Sequence, residues 1–166
     1  AGQVTNILDA LGRSTAFAYD ARGLLVRTVD ALGHATLRGY TPEGRLATVV
    51  DALGRTNRFL RTPGGKLAAV IRPDGGIITN EYDIAGRLSA VTDPRGTRVS
   101  FDRDPVGRIT RRHTPRWDEL TWYDLAGCVS IVMDAASVWT EFGYDDLDRP
   151  VCVTDGLDRD WRTAYD

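Results

Sequence analysis

Six tyrosines, all that this 166-residue chain contains, occupy one place in a recurring 21-residue frame: Tyr19, Tyr40, Tyr82, Tyr123, Tyr144 and Tyr165. The four phenylalanines, Phe17, Phe59, Phe101 and Phe142, stand two residues ahead of that place. A chain that folds around one irregular core has no reason to space its aromatics at a constant interval. Self-similarity at a fixed period marks a tandem array, in which each unit buries its apolar surface only against its neighbours.

The units open at Asp9, Asp30, Asp51, Asp93, Asp134 and Asp155, with Arg72 and Thr114 at the two remaining places. The step is 21 residues throughout, except for one 20-residue unit from Thr114 to Met133. The expected organisation is therefore one repeat array over residues 1–166, with repeats starting near 9, 30, 51, 72, 93, 114, 134 and 155. Ala1-Gly2 matches the second turn of a unit, and Tyr165-Asp166 stops short of one. The expectation drawn from that is a segment of a longer array, since solenoids close their ends with atypical capping repeats.

Each unit carries two glycines about ten residues apart. The first series is Gly12, Gly33, Gly54, Gly75 and Gly96; the second is Gly2, Gly23, Gly44, Gly65, Gly86, Gly107 and Gly127. Glycine adopts positive φ without steric cost, so evenly spaced glycines predict evenly spaced tight turns. Asp or Pro ahead of them (Asp20, Asp83, Asp124, Pro42, Pro63, Pro105) suits the same turns.

The segments between turns run to about seven residues, a usual strand length. Thr97, Val99 and Phe101 alternate with polar neighbours, and Ile77–Tyr82 is β-rich without a helical stripe. The returning segments, such as Arg45–Val50, space their apolar residues by three, which suggests a bulge near the strand end. No window between glycines is long enough for a stable helix. The predicted fold is all-β: tandem 21-residue β-hairpins, roughly fifteen strands, in a long antiparallel sheet. Right-handed strand twist makes such a sheet curve. Identical side chains on successive hairpins then stack, each cross-strand pair contributing roughly 0.2–1 kcal/mol.

The formal charge of −2 is spread along the chain, which argues against nucleic acid as a partner. There is no apolar run long enough to cross a bilayer and no signal peptide at the start. Cys128 and Cys152 hold different frame positions and are read as ordinary thiols rather than a disulfide or zinc pair. His34 and His113 have no serine or cysteine at motif spacing, so no catalytic site is expected. The aspartate ladder invites a calcium reading, but copies one hairpin apart sit about 10 Å from each other. Ligands of one calcium ion lie within about 5 Å of each other. The aspartates are accordingly read as turn caps, and neither a metal nor a cofactor is expected.

Arginines after the second glycine (Arg45, Arg87, Arg108, Arg149, with Lys66) form a potential basic ridge. Asp83, Asp104 and Asp145 stand four positions earlier and are expected to neutralise it. In the last third Trp117, Ser137 and Asp158 replace the first glycine and Asp148 the second, which predicts disturbed hairpin register there. All four tryptophans lie in this stretch; Trp122 is read as filling the phenylalanine place in the core, while Trp139 and Trp161 are less clearly placed. Arg61 and Arg103 stand as two gaps in the tyrosine column.

Tyr82-Asp83-Ile84-Ala85-Gly86-Arg87-Leu88, followed by Asp93-Pro94-Arg95-Gly96, resembles the Rhs/YD repeat, and the resemblance extends over the whole chain. It is closest in style to bacterial Rhs polymorphic toxins and more distant from insecticidal toxin complex BC components and teneurins. The resemblance implies a hollow β-shell wound from a strip of hairpins, enclosing a C-terminal toxin domain. It implies a secreted or delivered effector, with type VI secretion and interbacterial competition as the setting. Its implied partners are the rest of the shell, the enclosed toxin domain, and a secretion spike and chaperone through other regions. The family's self-cleaving segment, an Asp-Pro-x-Gly-Leu type motif, has no counterpart, so no protease role is carried over. The aligned Tyr, Phe and second-series Gly residues are expected to build the wall. The alternative reading is an extracellular adhesion or carbohydrate-binding module.

Overall fold

In the computed structural model, which describes residues 2–166, every regular element is a strand, as expected for an all-β fold. There are sixteen among the described residues, one more than the rough count from the turns. They are β1 (Asn6–Leu8), β2 (Ser14–Tyr19), β3 (Leu25–Val29), β4 (Ala35–Tyr40), β5 (Leu46–Val50), β6 (Thr56–Arg61), β7 (Leu67–Ile71) and β8 (Ile77–Tyr82). There follow β9 (Leu88–Thr92), β10 (Arg98–Arg103), β11 (Ile109–His113), β12 (Asp118–Tyr123), β13 (Val129–Met133), β14 (Trp139–Tyr144), β15 (Pro150–Asp155) and β16 (Asp160–Arg162). Strand order in the antiparallel sheet is the order along the chain. Two compact units divide within β8, the first running to Thr79 and the second from Asn80 to Asp166.

Every described hairpin turn but one has the same design. In the opening turn of the first repeat, Gly12 N–H donates to the Asp9 carbonyl at 2.9 Å and Asp9 N–H to the Arg13 carbonyl at 3.0 Å. This is a hairpin loop of three residues, whose last position takes left-handed φ. Glycine supplies it at 75° in Gly12 and 83° in Gly23. The Asp9 carboxylate accepts from the backbone N–H of Leu11 and of Arg13, both at 2.9 Å. A side chain that satisfies the loop's own donors explains why Asp opens so many units.

The last third does not lose register, contrary to the sequence expectation. Ser137, Asp148 and Asp158 take φ of 62°, 58° and 58°, and each donates its N–H to the residue three earlier, as the glycines do. Short polar side chains tolerate the left-handed region better than branched ones. The exception is Thr114–Trp117, which absorbs the deletion in the 20-residue unit. There Thr114 N–H donates directly to the Trp117 carbonyl at 2.9 Å, closing a loop one residue shorter. Thr114 is 4% exposed, and its hydroxyl accepts from the N–H of Arg116 and Trp117.

Each tyrosine-side hairpin whose register is defined contains the anticipated bulge. Ala18 faces Arg27 but Tyr19 faces Leu25, leaving Val26 as the extra residue; the same shift recurs at Tyr40, Arg61, Arg103, Tyr123 and Tyr144. The pairings put Phe17 with Thr28, Phe59 with Val70 and Phe142 with Val153, on the same face as Tyr19, Arg61 and Tyr144 two residues on. Trp122 corrects a sequence reading: it precedes Tyr123 by one residue, pairs with Ile131 and lies on the opposite face, 45% exposed. The deletion moves Thr121, not Trp122, into the phenylalanine place.

Within each unit the sheet has no second layer over it. The only described residues that count as buried are Ala69, Ala90 and Thr114. Cohesion must therefore come from neighbour-to-neighbour contacts along the sheet.

Candidate functional site

The contacts that join one hairpin to the next are concentrated at the tyrosine-side turns. The β3–β4 ladder begins at Arg27 opposite Leu37 and does not extend back to Leu25. A carbonyl beyond the ladder needs another donor, because unpaired backbone groups are costly. Tyr40 supplies it: its hydroxyl donates to the Leu25 carbonyl at 2.8 Å while its own backbone is paired with Leu46 of β5. One side chain thus ties three strands.

The same clasp recurs. Tyr19 donates to the Val4 carbonyl at 2.9 Å, Tyr123 to Ile109 at 2.9 Å, Tyr144 to Val129 at 2.9 Å and Tyr165 to Pro150 at 2.8 Å. Tyr82 holds the equivalent place at the end of β8. Such bonds contribute roughly 0.5–1.5 kcal/mol each.

Arg61 and Arg103, which interrupt the column in sequence, are not gaps in the structure. Arg61 Nη2 donates to the Leu46 carbonyl at 3.2 Å and Arg103 Nη2 to the Leu88 carbonyl at 3.1 Å, the acceptors a tyrosine would use. Their Nη1 atoms reach further, to the carbonyls of Gly65 and Gly107. Both Nε atoms are buried without a partner, so arginine performs the task with one donor unsatisfied. The sequence signal was available in the frame position, but aromatic spelling alone obscured it.

Arginines after the second-series glycines surround the clasp. Arg87, Arg108 and Arg149 pair through Nε with Asp83, Asp104 and Asp145 at 2.8, 2.7 and 2.8 Å, so the basic ridge is neutralised turn by turn. Arg45 and Lys66 follow threonines instead, whose hydroxyls accept their backbone N–H groups. The Arg108 guanidinium lies 4.2 Å over the Tyr123 ring and that of Arg149 4.4 Å over Tyr165, arrangements that favour cation–π attraction. The carboxyls of Asp20, Asp83 and Asp145 lie below the ordinary aspartate value, chiefly because each accepts the backbone N–H four residues on, with the neighbouring arginine adding to the effect.

Residues weighed for catalysis are otherwise engaged. His34 Nδ1 lies 3.0 Å from Asp30, and His113 bonds Asp118, which also receives Arg111 Nη2 at 2.5 Å. Cys128 and Cys152 are free, half-buried thiols. Burial pushes the Cys128 thiol up, with the charges of Asp148 and Asp124 adding to it, which works against thiolate chemistry. Among the described residues no group of three or more His, Cys, Asp or Glu side chains is placed to hold a metal ion. Among the described residues no helix is long and apolar enough to cross a membrane. On the face opposite the tyrosines, Leu120, Trp122, Ile131, Met133 and Trp139 pair across β12 to β14. Trp161, 54% exposed, lies instead on the tyrosine side, paired with Val153.

A sheet of near-identical hairpins in chain order, joined by a recurring side-chain clasp, defines a tandem β-hairpin repeat protein. The RHS Repeat family model matches residues 1–35 and 82–116, two stretches of the chain that are similar to RHS repeats. Among solved structures, the fold is similar to part of the Photorhabdus luminescens Tc holotoxin pore carrying a TccC3 mutation. That match has a TM-score of 0.74 and 13% identity over 86% of this chain and 9% of that one. It is also similar to part of a TcdB2-TccC3 crystal structure, with a TM-score of 0.62 and 16% identity over 99% of this chain and 12% of that one. A TcdB2-TccC3-Cdc42 structure matches with a TM-score of 0.59 and 16% identity over 92% of this chain and 11% of that one. The chain thus spans about a tenth of the length of these structures. No curated protein matches significantly.

Proposed function

We propose that this chain is a non-catalytic wall segment of a hollow β-shell, in a secreted bacterial Rhs toxin that confines a C-terminal toxin domain until delivery. The observation that carries the reading is the absence of a closed core within either unit among the described residues, together with hairpin-to-hairpin clasps from Tyr19, Tyr40, Arg61, Arg103, Tyr123, Tyr144 and Tyr165. Such a chain is built to extend a sheet by addition, and extension of a sheet is what an enclosure requires. The enclosed toxin and the remainder of the shell are the expected partners, and delivery through a type VI route into competing cells is the expected setting. The array of repeats 1–166 serves as wall, with its aligned Tyr, Phe and Gly residues as structural elements rather than ligands for a cofactor.

The test is the parent polypeptide. It is expected to continue through further YD units and a self-cleaving motif into an unrelated C-terminal domain that resists added protease. Cutting the wall should expose that domain. A parent ending in a membrane anchor or in further surface modules would overturn the reading.

One observation favours a second reading, a carbohydrate-binding surface. Trp122 and Trp139, 45% and 36% exposed, share one sheet face. Glycan-array binding lost on Trp122→Ala or Trp139→Ala would support adhesion, and no binding on the array would remove it.

A further inference from the structure

The two turn glycines of each repeat have different surroundings. A Cβ added at Gly12, Gly33, Gly54, Gly75 or Gly96 would meet nothing within 4 Å. On the tyrosine side it meets the side chain that follows the corresponding glycine one repeat earlier. Gln3 Nε2 would be 2.9 Å from a Cβ on Gly23, Leu24 Cδ1 3.6 Å from one on Gly44, and Arg45 Nη1 0.9 Å from one on Gly65. Arg87 Nη1 would be 2.9 Å from a Cβ on Gly107, and Arg108 Nη1 3.3 Å from one on Gly127.

Three of these side chains, Gln3, Arg87 and Arg108, are held in place. Asp83 holds Arg87 at Nε and Asp104 holds Arg108, which directs each Nη end over the next turn. Gln3 Nε2 donates to the Gly23 carbonyl at 2.9 Å. At Gly23, Gly65, Gly107 and Gly127 the glycine is therefore used twice, for its left-handed φ and for the space its missing Cβ leaves to the preceding hairpin, whereas Leu24 makes only an ordinary contact at Gly44.

The substitutions already present in the chain follow the same division. Where a Cβ meets open space, Ser137 and Asp158 replace glycine and keep positive φ. On the tyrosine side the replacement is Asp148, and the residue at the facing frame position is Cys128, the smallest side chain found there. The larger turn residue coincides with the smaller neighbour.

We propose that the residue after each tyrosine-side glycine and the turn residue of the next repeat form a size-matched pair that determines which hairpin docks on which. The pair is a specificity determinant internal to the array: a long, anchored side chain accepts glycine, and a short one accepts a residue with a Cβ. It stands whether or not the array encloses a toxin.

The 166-residue chain offers a matched test, because Gly65 and Gly75 have φ of 81° and 80° but opposite surroundings. Gly65→Ala and Gly75→Ala are compared by thermal unfolding, each alone and with Arg45→Ala. Both are expected to lower Tm through the shared backbone strain, with Gly65→Ala lower by a further amount of about 2–4 °C. That excess is expected to vanish when Arg45→Ala is added. Equal losses with Arg45 present, or an excess that survives its removal, overturn the pairing. Should Gly65→Ala fail to fold, recovery on adding Arg45→Ala supports the proposal and failure to recover overturns it.

Discussion

The opening turns and the tyrosine-side turns share one backbone design but differ in what they hold. An opening turn such as Asp51–Gly54 closes on itself, with Asp51 capping Leu53 and Arg55 and pairing with the Arg55 side chain. A tyrosine-side turn such as Asp104–Gly107 holds the backbone and side chain of Arg108 in the same way and also receives its neighbour, through the Arg103 clasp on Leu88 and the Arg87 head beside Gly107. The ladders reflect this. Four pairs with a bulge join β2 to β3, whereas three pairs join β3 to β4. Cohesion between repeats is thus concentrated along one edge, and the other edge is free to vary.

The largest effect that would sharpen this contrast is expected from Gly86→Val. Gly86 has φ of 77°. A β-branched residue is a genuine outlier at such a φ, so the loss should be about 2 kcal/mol or more. Chemical denaturation of the mutant measures it, and an unaffected midpoint would contradict the turn assignment. Next comes Arg103→Leu, which leaves the Leu88 and Gly107 carbonyls without their donor. Its expected cost is about 1–3 kcal/mol, whereas Arg103→Tyr should retain most of the stability. Tyr40→Phe removes one hydroxyl and should cost about 1 kcal/mol, with faster amide exchange at the start of β3 as the local readout.

Acid should weaken the tyrosine-side turns. The carboxyls of Asp20, Asp83 and Asp145 are depressed in the folded chain, first by the backbone N–H four residues on. Their contribution is complete above the unfolded aspartate value, about 3.9, and is lost as pH falls through the lower folded values. A pH titration of Tm should fall on the acid side of about pH 4, with a smaller fall in Asp83→Asn. The smallest effect belongs to the opening edge. Leu32 is 81% exposed, so Leu32→Ser should change stability by no more than about 0.5 kcal/mol. A larger loss would show that this edge is not free.

Much of the fold was legible because its determinants are local. Asp9 caps a loop within four residues, and Gly12 answers a demand for left-handed φ that any reader of the spacing can infer. Neutralisation of the Arg87, Arg108 and Arg149 ridge was legible for the same reason, since the partners stand four residues away. The clasp was half legible. The tyrosine column announced a role, but the interchange of Tyr40 with Arg61 and Arg103 depends on which carbonyl lies beyond the end of a ladder. Trp122 was misplaced because a single deletion inverts the face of a strand residue, and the site of that deletion becomes clear only from the shortened Thr114–Trp117 loop.

By itself the sequence determined that the chain is an array, where its turns fall and that its strands pair with their chain neighbours. Those are consequences of periodicity, glycine φ and short-range capping. Only the tertiary structure decided that one edge of each hairpin docks the next, that Arg61 and Arg103 continue the tyrosine column, and that Ser137, Asp148 and Asp158 preserve register. The third depends on whether a short polar side chain accepts left-handed φ, and the first two depend on the distance between groups about fifteen to twenty residues apart. That distance is set by strand pairing and bulges, and spelling alone does not express it.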